Sequence, residues 1–110
     1  MFNLTPHAIV VRRASGDAVY PPSGLLARVD THEVALGDIE GVPAIARGLG
    51  AVQIPEGAPT TGYLLVSSMV LEAAKAQLHP QLSQMVAPDT GPTAIREGGQ
   101  VKAVTRLIIA

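Results

Sequence analysis

Glycine and proline recur along most of this chain, and they limit the length of nearly every regular element. The 110 residues include eleven glycines and nine prolines, which separate short runs rich in β-branched residues. Because both residues interrupt helices and strands, this spacing is typical of many short strands joined by turns. A chain of this length forms one hydrophobic core. We therefore predict a single globular domain, residues 1–110, built mostly from β-structure.

The apolar runs place the strands, and the turn residues place the hairpins. Glu40-Gly41 and Gly98-Gly99 each lie between two such runs, and glycine supplies the positive φ that a two-residue hairpin turn requires. The connection over residues 79–87 has no clear pattern, so we predict no strand there. We predict strands over residues 8–13, 18–20, 25–30, 34–39, 42–47, 51–54, 63–66, 93–97 and 100–109.

A single segment, around residues 68–78, changes to helical spacing. Ser68 is placed to cap its first turn, and Pro80 marks its end because the residue before a proline avoids the α region. Leu71, Ala74 and Leu78 recur on one helical face. The fold class that follows is α+β: a small, mostly-β domain, with a bent sheet or a partly open barrel of short strands and one packed helix.

Composition excludes several classes of function. The formal net charge is −1 and there is no cysteine, so the chain has neither a general basic field for nucleic acid nor thiol chemistry. The three histidines show no metal-binding spacing. No targeting or membrane-spanning segment is visible. We expect a cytoplasmic protein with no metal, no cofactor, no nucleic-acid partner and no membrane contact.

The densest polar cluster is the sequence PDTGPTAIR, residues 88–96. Asp89, Thr90, Thr93 and Arg96 offer a carboxylate, two hydroxyls and a guanidinium, groups that can bind a polar or phosphorylated ligand. The alternative is structural, because Asp89 and Thr90 can also form an Asx-type turn stiffened by the flanking prolines.

Two further groups of polar residues are candidates for the same site. Asn3, Thr5 and His7 precede the first strand and can present polar groups from one end of the sheet, or they can close a turn. Ser67 lies at a strand-to-helix junction, where backbone N–H groups favour an anion, although a serine there also serves as a helix cap.

Four sequence blocks carry a resemblance to a known family. They are NLTPHAIVV, YPPSGLLARV, GYLLVSSMVLEA and APDTGPTAIREGGQVKAVTRL, which cover over half of the chain in this order. Together they resemble a family of small bacteriophage and prophage proteins that has no established reaction. The resemblance implies a phage-related protein acting in the host bacterial cytoplasm. It also implies that the motif positions are Asn3, Thr5, His7, Ser67, Asp89, Thr90, Thr93 and Arg96.

Three hypotheses follow from these residues. The first is a non-enzymatic binding module that captures a small polar, nucleotide-like molecule, such as a bacterial immune signal, between the PDTGPTAIR loop and the NLTPH segment. The second is a small hydrolase or lyase in which His7 acts as general base and Asp89 orients it. The third is a phage structural or assembly protein that uses its apolar C-terminal strand as an interface. We expect a homo-oligomer, with that C-terminal strand covered by the domain's own sheet or by another subunit.

Overall fold

Ten strands, one α-helix and one 3₁₀ helix form the domain, and the structure, a computed structural model, describes all 110 residues. The α+β class and the mostly-β character are confirmed. The strands form one four-stranded sheet and three separate hairpins, and no sheet closes into a barrel. In chain order the elements are β1 (Phe2–Asn3), β2 (Ile9–Arg13), β3 (Gly16–Tyr20), β4 (Arg28–Ile39), β5 (Val42–Gln53), β6 (Leu64–Leu65), α1 (Ser68–Gln77), the 3₁₀ helix (Leu82–Gln84), β7 (Met85–Pro88), β8 (Ile95–Glu97), β9 (Gln100–Ala103) and β10 (Leu107–Ile109).

The central sheet has the strand order β1-β6-β7-β10. Strands β1, β6 and β7 run parallel, and β10 pairs antiparallel with β7. The consecutive residues Leu64, Leu65 and Val66 are all fully buried. Because neighbouring side chains on a strand point to opposite faces, both faces of this part of the sheet are covered, as its continuous apolar run predicts.

Two strands of the central sheet, β7 and β1, are not predicted by the sequence patterns. β7 lies in the segment without a clear pattern, yet all four of its residues are buried. Its sequence, MVAP, combines small residues with a proline and therefore lacks the alternation that marks a half-exposed strand. β1 has only two residues, too few for any periodicity. Tertiary pairing, rather than local propensity, therefore creates these strands.

Helix α1 packs its small apolar side chains against the sheet. Its N-cap is Ser67, not Ser68, because the Ser67 hydroxyl accepts a hydrogen bond from the backbone N–H of Val70 at 3.3 Å. The helix ends one residue earlier than expected. Leu78 takes the left-handed conformation at φ 51°, and its side chain is 81% exposed instead of lying on the buried face.

The hairpins depend on turns that require positive φ. Gly98 and Gly99 connect β8 to β9 with φ values of 62° and 82°, which confirms the predicted two-residue turn. Glu40 and Gly41 connect β4 to β5 in the same way. Strands β4 and β5 are twelve residues each, because the short strands expected there continue through two register shifts at β-bulges.

Candidate functional site

Several predicted site residues collect at one edge of the central sheet. Asn3 ends β1, Ser67 lies two residues beyond β6, and Asp89 follows β7 directly. These three strands are parallel, so their carboxyl ends meet at the same edge. In open sheets with parallel strands, ligands bind beyond this edge. The topology therefore gathers residues that are far apart in the sequence.

Asn3 and Thr5 form a buried hydrogen-bond network within the N-terminal segment. The Asn3 amide nitrogen donates to the backbone carbonyls of His7 and Tyr20, both at 2.8 Å. Its amide oxygen accepts from the Thr5 backbone N–H at 2.9 Å and from the Thr5 hydroxyl at 2.6 Å. Every polar atom of the Asn3 side chain is thus used inside the chain, and the network fixes the backbone on which His7 is carried.

Asp89 organises the loop that follows β7. One carboxylate oxygen accepts from the Gly91 N–H at 2.9 Å, and the other accepts from Nε of Arg106 and from the Thr93 hydroxyl at 3.5 Å. The pKa of Asp89 lies below its ordinary value, first because of the Arg106 hydrogen bond and then because of the Gly91 N–H. The Asx-type turn considered from the sequence is therefore present.

Arg96 also contacts the loop, but through backbone carbonyls. Its guanidinium donates to Gly91 O at 3.2 Å and to Thr90 O. The charge partner of Asp89 is Arg106, which sequence reasoning missed. The sequence predicts no strand over residues 85–88, so it gave no reason to place Arg106 opposite Asp89. The antiparallel pairing of β7 with β10 brings the two residues together.

An open cleft of about 450 Å³ lies beside this loop. One wall is the segment from His7 to Val10, and the other wall runs along β9 to Val104. The walls are joined because Arg12 N donates to Val104 O and Val104 N donates to Val10 O, each at 2.8 Å. Pro88 and Thr90 complete the lining.

The cleft is lined mainly by apolar residues, with four polar side chains among them. His7 and Thr90 belong to the predicted site, whereas Gln100 and Lys102 were not singled out from the sequence. No local pattern selects the last two, because Val101 and Ala103, which alternation places on the opposite face of the same strand, also line the cleft. The side chains of Gln100 and Lys102 are exposed.

Lys102 supplies the positive charge of the cleft. Its ammonium group contacts Glu97 at 2.8 Å, and both side chains of this pair are more than half exposed. Exposed pairs of this kind contribute about 0–1 kcal/mol, so little free energy would be lost if Lys102 exchanged Glu97 for an anionic ligand. The positive potential of Lys102 also reaches the β2–β3 hairpin. It contributes to the lowered pKa of Asp17, a shift whose largest cause is the hydrogen bond from Arg12.

The remaining predicted residues do not line the cleft. Ser67 is exposed and caps α1, Asp89 and Thr93 form the turn, and Arg96 lies against its carbonyls. The contacts within the chain account for these side chains, and their role as ligand contacts stays a prediction. The Asp89 carboxylate accepts no hydrogen bond from His7, so the pair required by the hydrolase hypothesis is not formed in this structure.

No three His, Asp or Glu side chains converge in an arrangement that could hold a metal ion. None of the helices combines the length and apolarity that crossing a membrane requires. Comparisons of the chain with protein-family models, with curated proteins and with solved structures gave no match.

Proposed function

We propose that this protein is a non-enzymatic binding module that captures a small, nucleotide-like ligand in the cleft between His7 and Lys102. One observation supports this most directly: a mostly apolar cleft with few polar side chains is lined both by the N-terminal segment and by the PDTGPTAIR loop. Its volume of about 450 Å³ is within the range of roughly 300–1,000 Å³ that small-molecule sites occupy.

The chemistry of the lining favours an anionic ligand with an apolar, flat portion. Lys102 can donate charge-assisted hydrogen bonds to a phosphate, and the Thr90 hydroxyl and the Gln100 amide can bind ribose or base atoms. The aliphatic residues Ile9, Val10 and Val101 provide the surface against which a base can pack.

The resemblance to phage proteins extends this proposal to a biological role. A small phage protein with such a site would sequester a nucleotide signal of the bacterial immune response in the host cytoplasm. Sequestration requires tight binding without turnover. The Asp89 carboxylate, engaged by Arg106 and Gly91 and not by His7, supports binding over hydrolysis.

The test compares the two lysines of the chain. Purified protein is titrated calorimetrically with ADP-ribose, cyclic ADP-ribose and cyclic dinucleotides. Lys102→Met should weaken binding of the tightest ligand by about tenfold to a hundredfold, the value of a charge-assisted hydrogen bond. Lys75 is exposed on α1 and lies outside the cleft, so Lys75→Met is the matched control and should bind like the wild type.

Two results would overturn the proposal. One is the absence of binding to every nucleotide tested, and the other is equal weakening by the two lysine variants. Turnover is tested separately by heating the complex and analysing the released molecule. Recovery of intact ligand supports a binding module, whereas recovery of a product would show an enzyme.

A further inference from the structure

The outer part of the β4–β5 hairpin projects from the domain, and we refer to residues 31–49 as the arm. Its strands are paired from Thr31 and Leu49 to Ile39 and Val42. No residue of the arm is buried. Nine residues of strand extend over about 30 Å, which accounts for much of the 56 Å length of the molecule.

The arm exposes large aliphatic side chains on both faces. On one face, Val34 lies opposite Ala46. Ile45 and Leu49 are one and three residues from Ala46 along β5, so they lie on the other face. Leu36, at the second bulge, is 65% exposed, and Ile39 and Val42 at the tip are 68% and 63% exposed. Solvent-exposed hairpins ordinarily place polar side chains on at least one face. Apolar residues on both faces indicate that the arm is covered by protein.

Nothing in the same chain covers the arm. Its base is fastened to α1, where the Gln77 side chain donates to Gly50 O and accepts from Val52 N. Beyond this point the two strands have only each other, and both outer edges lack hydrogen-bond partners. An isolated two-stranded hairpin is at best marginally stable in water, and it requires another strand or a packed surface.

The accessible surface of the chain is larger than that of a compact monomer of the same mass. The accessible surface is 7081 Å², whereas a compact monomer of 11.4 kDa exposes roughly 5,800 Å². The radius of gyration is 16.5 Å, against about 13 Å for a compact chain of this length. This excess of about 1,300 Å² belongs to the whole chain, with the β2–β3 and β8–β9 hairpins included alongside the arm, and it exceeds the roughly 800 Å² that each partner buries in a stable complex.

We propose that the arm binds a second copy of this chain and that the protein is a dimer or a larger assembly held together by its arms. Two copies carry the same excess, so one symmetric interface covers both arms at once. The arm has no strong single-sign charge that would select a different partner. Its one arginine, Arg47, pairs with Glu33 at 2.9 Å, His32 is its other basic side chain, and the other acidic groups, Asp38 and Glu40, lie near the tip.

The first experiment uses two matched double variants. Val34→Thr with Ile39→Thr changes residues of the arm that are 53% and 68% exposed. Val19→Thr with Ile109→Thr changes residues outside the arm that are 58% and 70% exposed. Threonine keeps the β-branched shape, so the substituted strands retain their strand preference. Molar masses are measured by sedimentation velocity over a range of concentrations.

The proposal predicts a multiple of 11.4 kDa for the wild type and for the Val19/Ile109 variant, and a large shift toward 11.4 kDa for the Val34/Ile39 variant. A wild type that stays monomeric at its highest soluble concentration overturns the proposal. So does an arm variant with the wild-type mass. Dissociation caused by the control variant but not by the arm variant would assign the interface to the surface around Val19 and Ile109, and it would overturn the proposal.

A second measurement needs no variant and therefore does not depend on the folding of one. Amide hydrogen exchange of the wild type reports whether the arm is covered. The proposal predicts that the cross-strand hydrogen-bonded amides of residues 31–39, 42 and 44–49 are protected as strongly as those of β6. Exchange as fast as that of an open hairpin, at concentrations where the mass shows an assembly, would place the interface elsewhere and overturn the proposal.

Discussion

Replacing Asn3 with alanine should destabilise the domain more than any change of a similar size at its surface. Asn3 is 2% exposed and its side chain makes four hydrogen bonds, to the His7 and Tyr20 carbonyls and to Thr5. The variant leaves the buried Thr5 N–H without its partner. The Thr5 hydroxyl keeps its second acceptor, the His7 carbonyl at 3.0 Å.

The magnitude follows from these contacts. Each hydrogen bond contributes about 1 kcal/mol net, and a buried donor left without a partner costs about 1–3 kcal/mol. We expect Asn3→Ala to lower the free energy of unfolding by about 3–5 kcal/mol, a large fraction of the roughly 5–15 kcal/mol that a small domain has. Thr5→Val keeps the backbone bond and should lower it by about 1–2 kcal/mol.

Asn3→Asp tests the direction of the hydrogen bonds. A carboxylate there still accepts from Thr5, but it cannot donate to the His7 and Tyr20 carbonyls, and burial among them raises the pKa of the new carboxyl. A group whose pKa is higher in the folded state stabilises that state at low pH, and this contribution is lost as the pH rises through the raised pKa. The deficit of this variant relative to the wild type should therefore be smaller at pH 4 than at pH 7.

Urea unfolding at one fixed protein concentration measures these changes, since association would otherwise alter the apparent stability. Gln53→Ala is the control, because Gln53 is exposed and makes one side-chain hydrogen bond, to Asp30. It should change the free energy of unfolding by about 0.5 kcal/mol or less. A loss below about 1 kcal/mol for Asn3→Ala would refute the view that this network holds the N-terminal segment.

Three further predictions concern the loop, a turn and the arm base. For Asp89→Asn, the Tm deficit should be largest above about pH 4–5, the region above the ordinary aspartate pKa, and should vanish as the pH falls through the lowered pKa of Asp89; a deficit independent of pH would contradict this. Gly99→Ala places a side chain at φ 82° and should cost about 1 kcal/mol in urea unfolding, and no cost would contradict the turn geometry. Gln77→Ala removes the acceptor of the Val52 N–H and should speed its hydrogen exchange about tenfold, whereas Glu72→Ala on the same helix should not.

The sequence predicted the elements that have strong local signals. The Gly98-Gly99 turn and the helix predicted around residues 68–78 carry residues whose backbone preferences match their positions. In the Glu40-Gly41 turn only the glycine does, because Glu40 also takes a positive φ, of 53°. The short strands β1 and β7 carry no such residues, because their conformation comes from pairing with β6 and β10. The order of the central sheet therefore could not be predicted, and neither could the contact between Asp89 and Arg106.

For the candidate site, polarity alone could not separate residues that hold the site from residues that can touch a ligand. In the sequence, Asn3, Asp89, His7 and Thr90 are all polar candidates for the site. The structure separates them by burial and by hydrogen-bond partners. The polar atoms of Asn3 and Asp89 are hydrogen-bonded to other residues of the chain, whereas His7 and Thr90 are exposed and line the cleft. That division depends on hydrogen-bond partners more than ten residues away, such as Tyr20 and Arg106, which a local pattern does not reveal.

Under the proposed function, this division favours firm ligand binding by a sparsely charged chain. Asn3 fixes the backbone at His7, and Asp89 and Arg96 fix the loop that carries Thr90. Because these segments are ordered before a ligand arrives, binding does not have to supply the free energy of ordering them. Only the long side chains of Gln100 and Lys102 remain to be immobilised, at about 0.5–1.5 kcal/mol each. If Asn3, Asp89 and Arg96 order these segments in this way, Asn3→Ala weakens nucleotide binding through a less favourable binding entropy. Lys102→Met instead weakens it through a less favourable binding enthalpy, and calorimetry distinguishes the two.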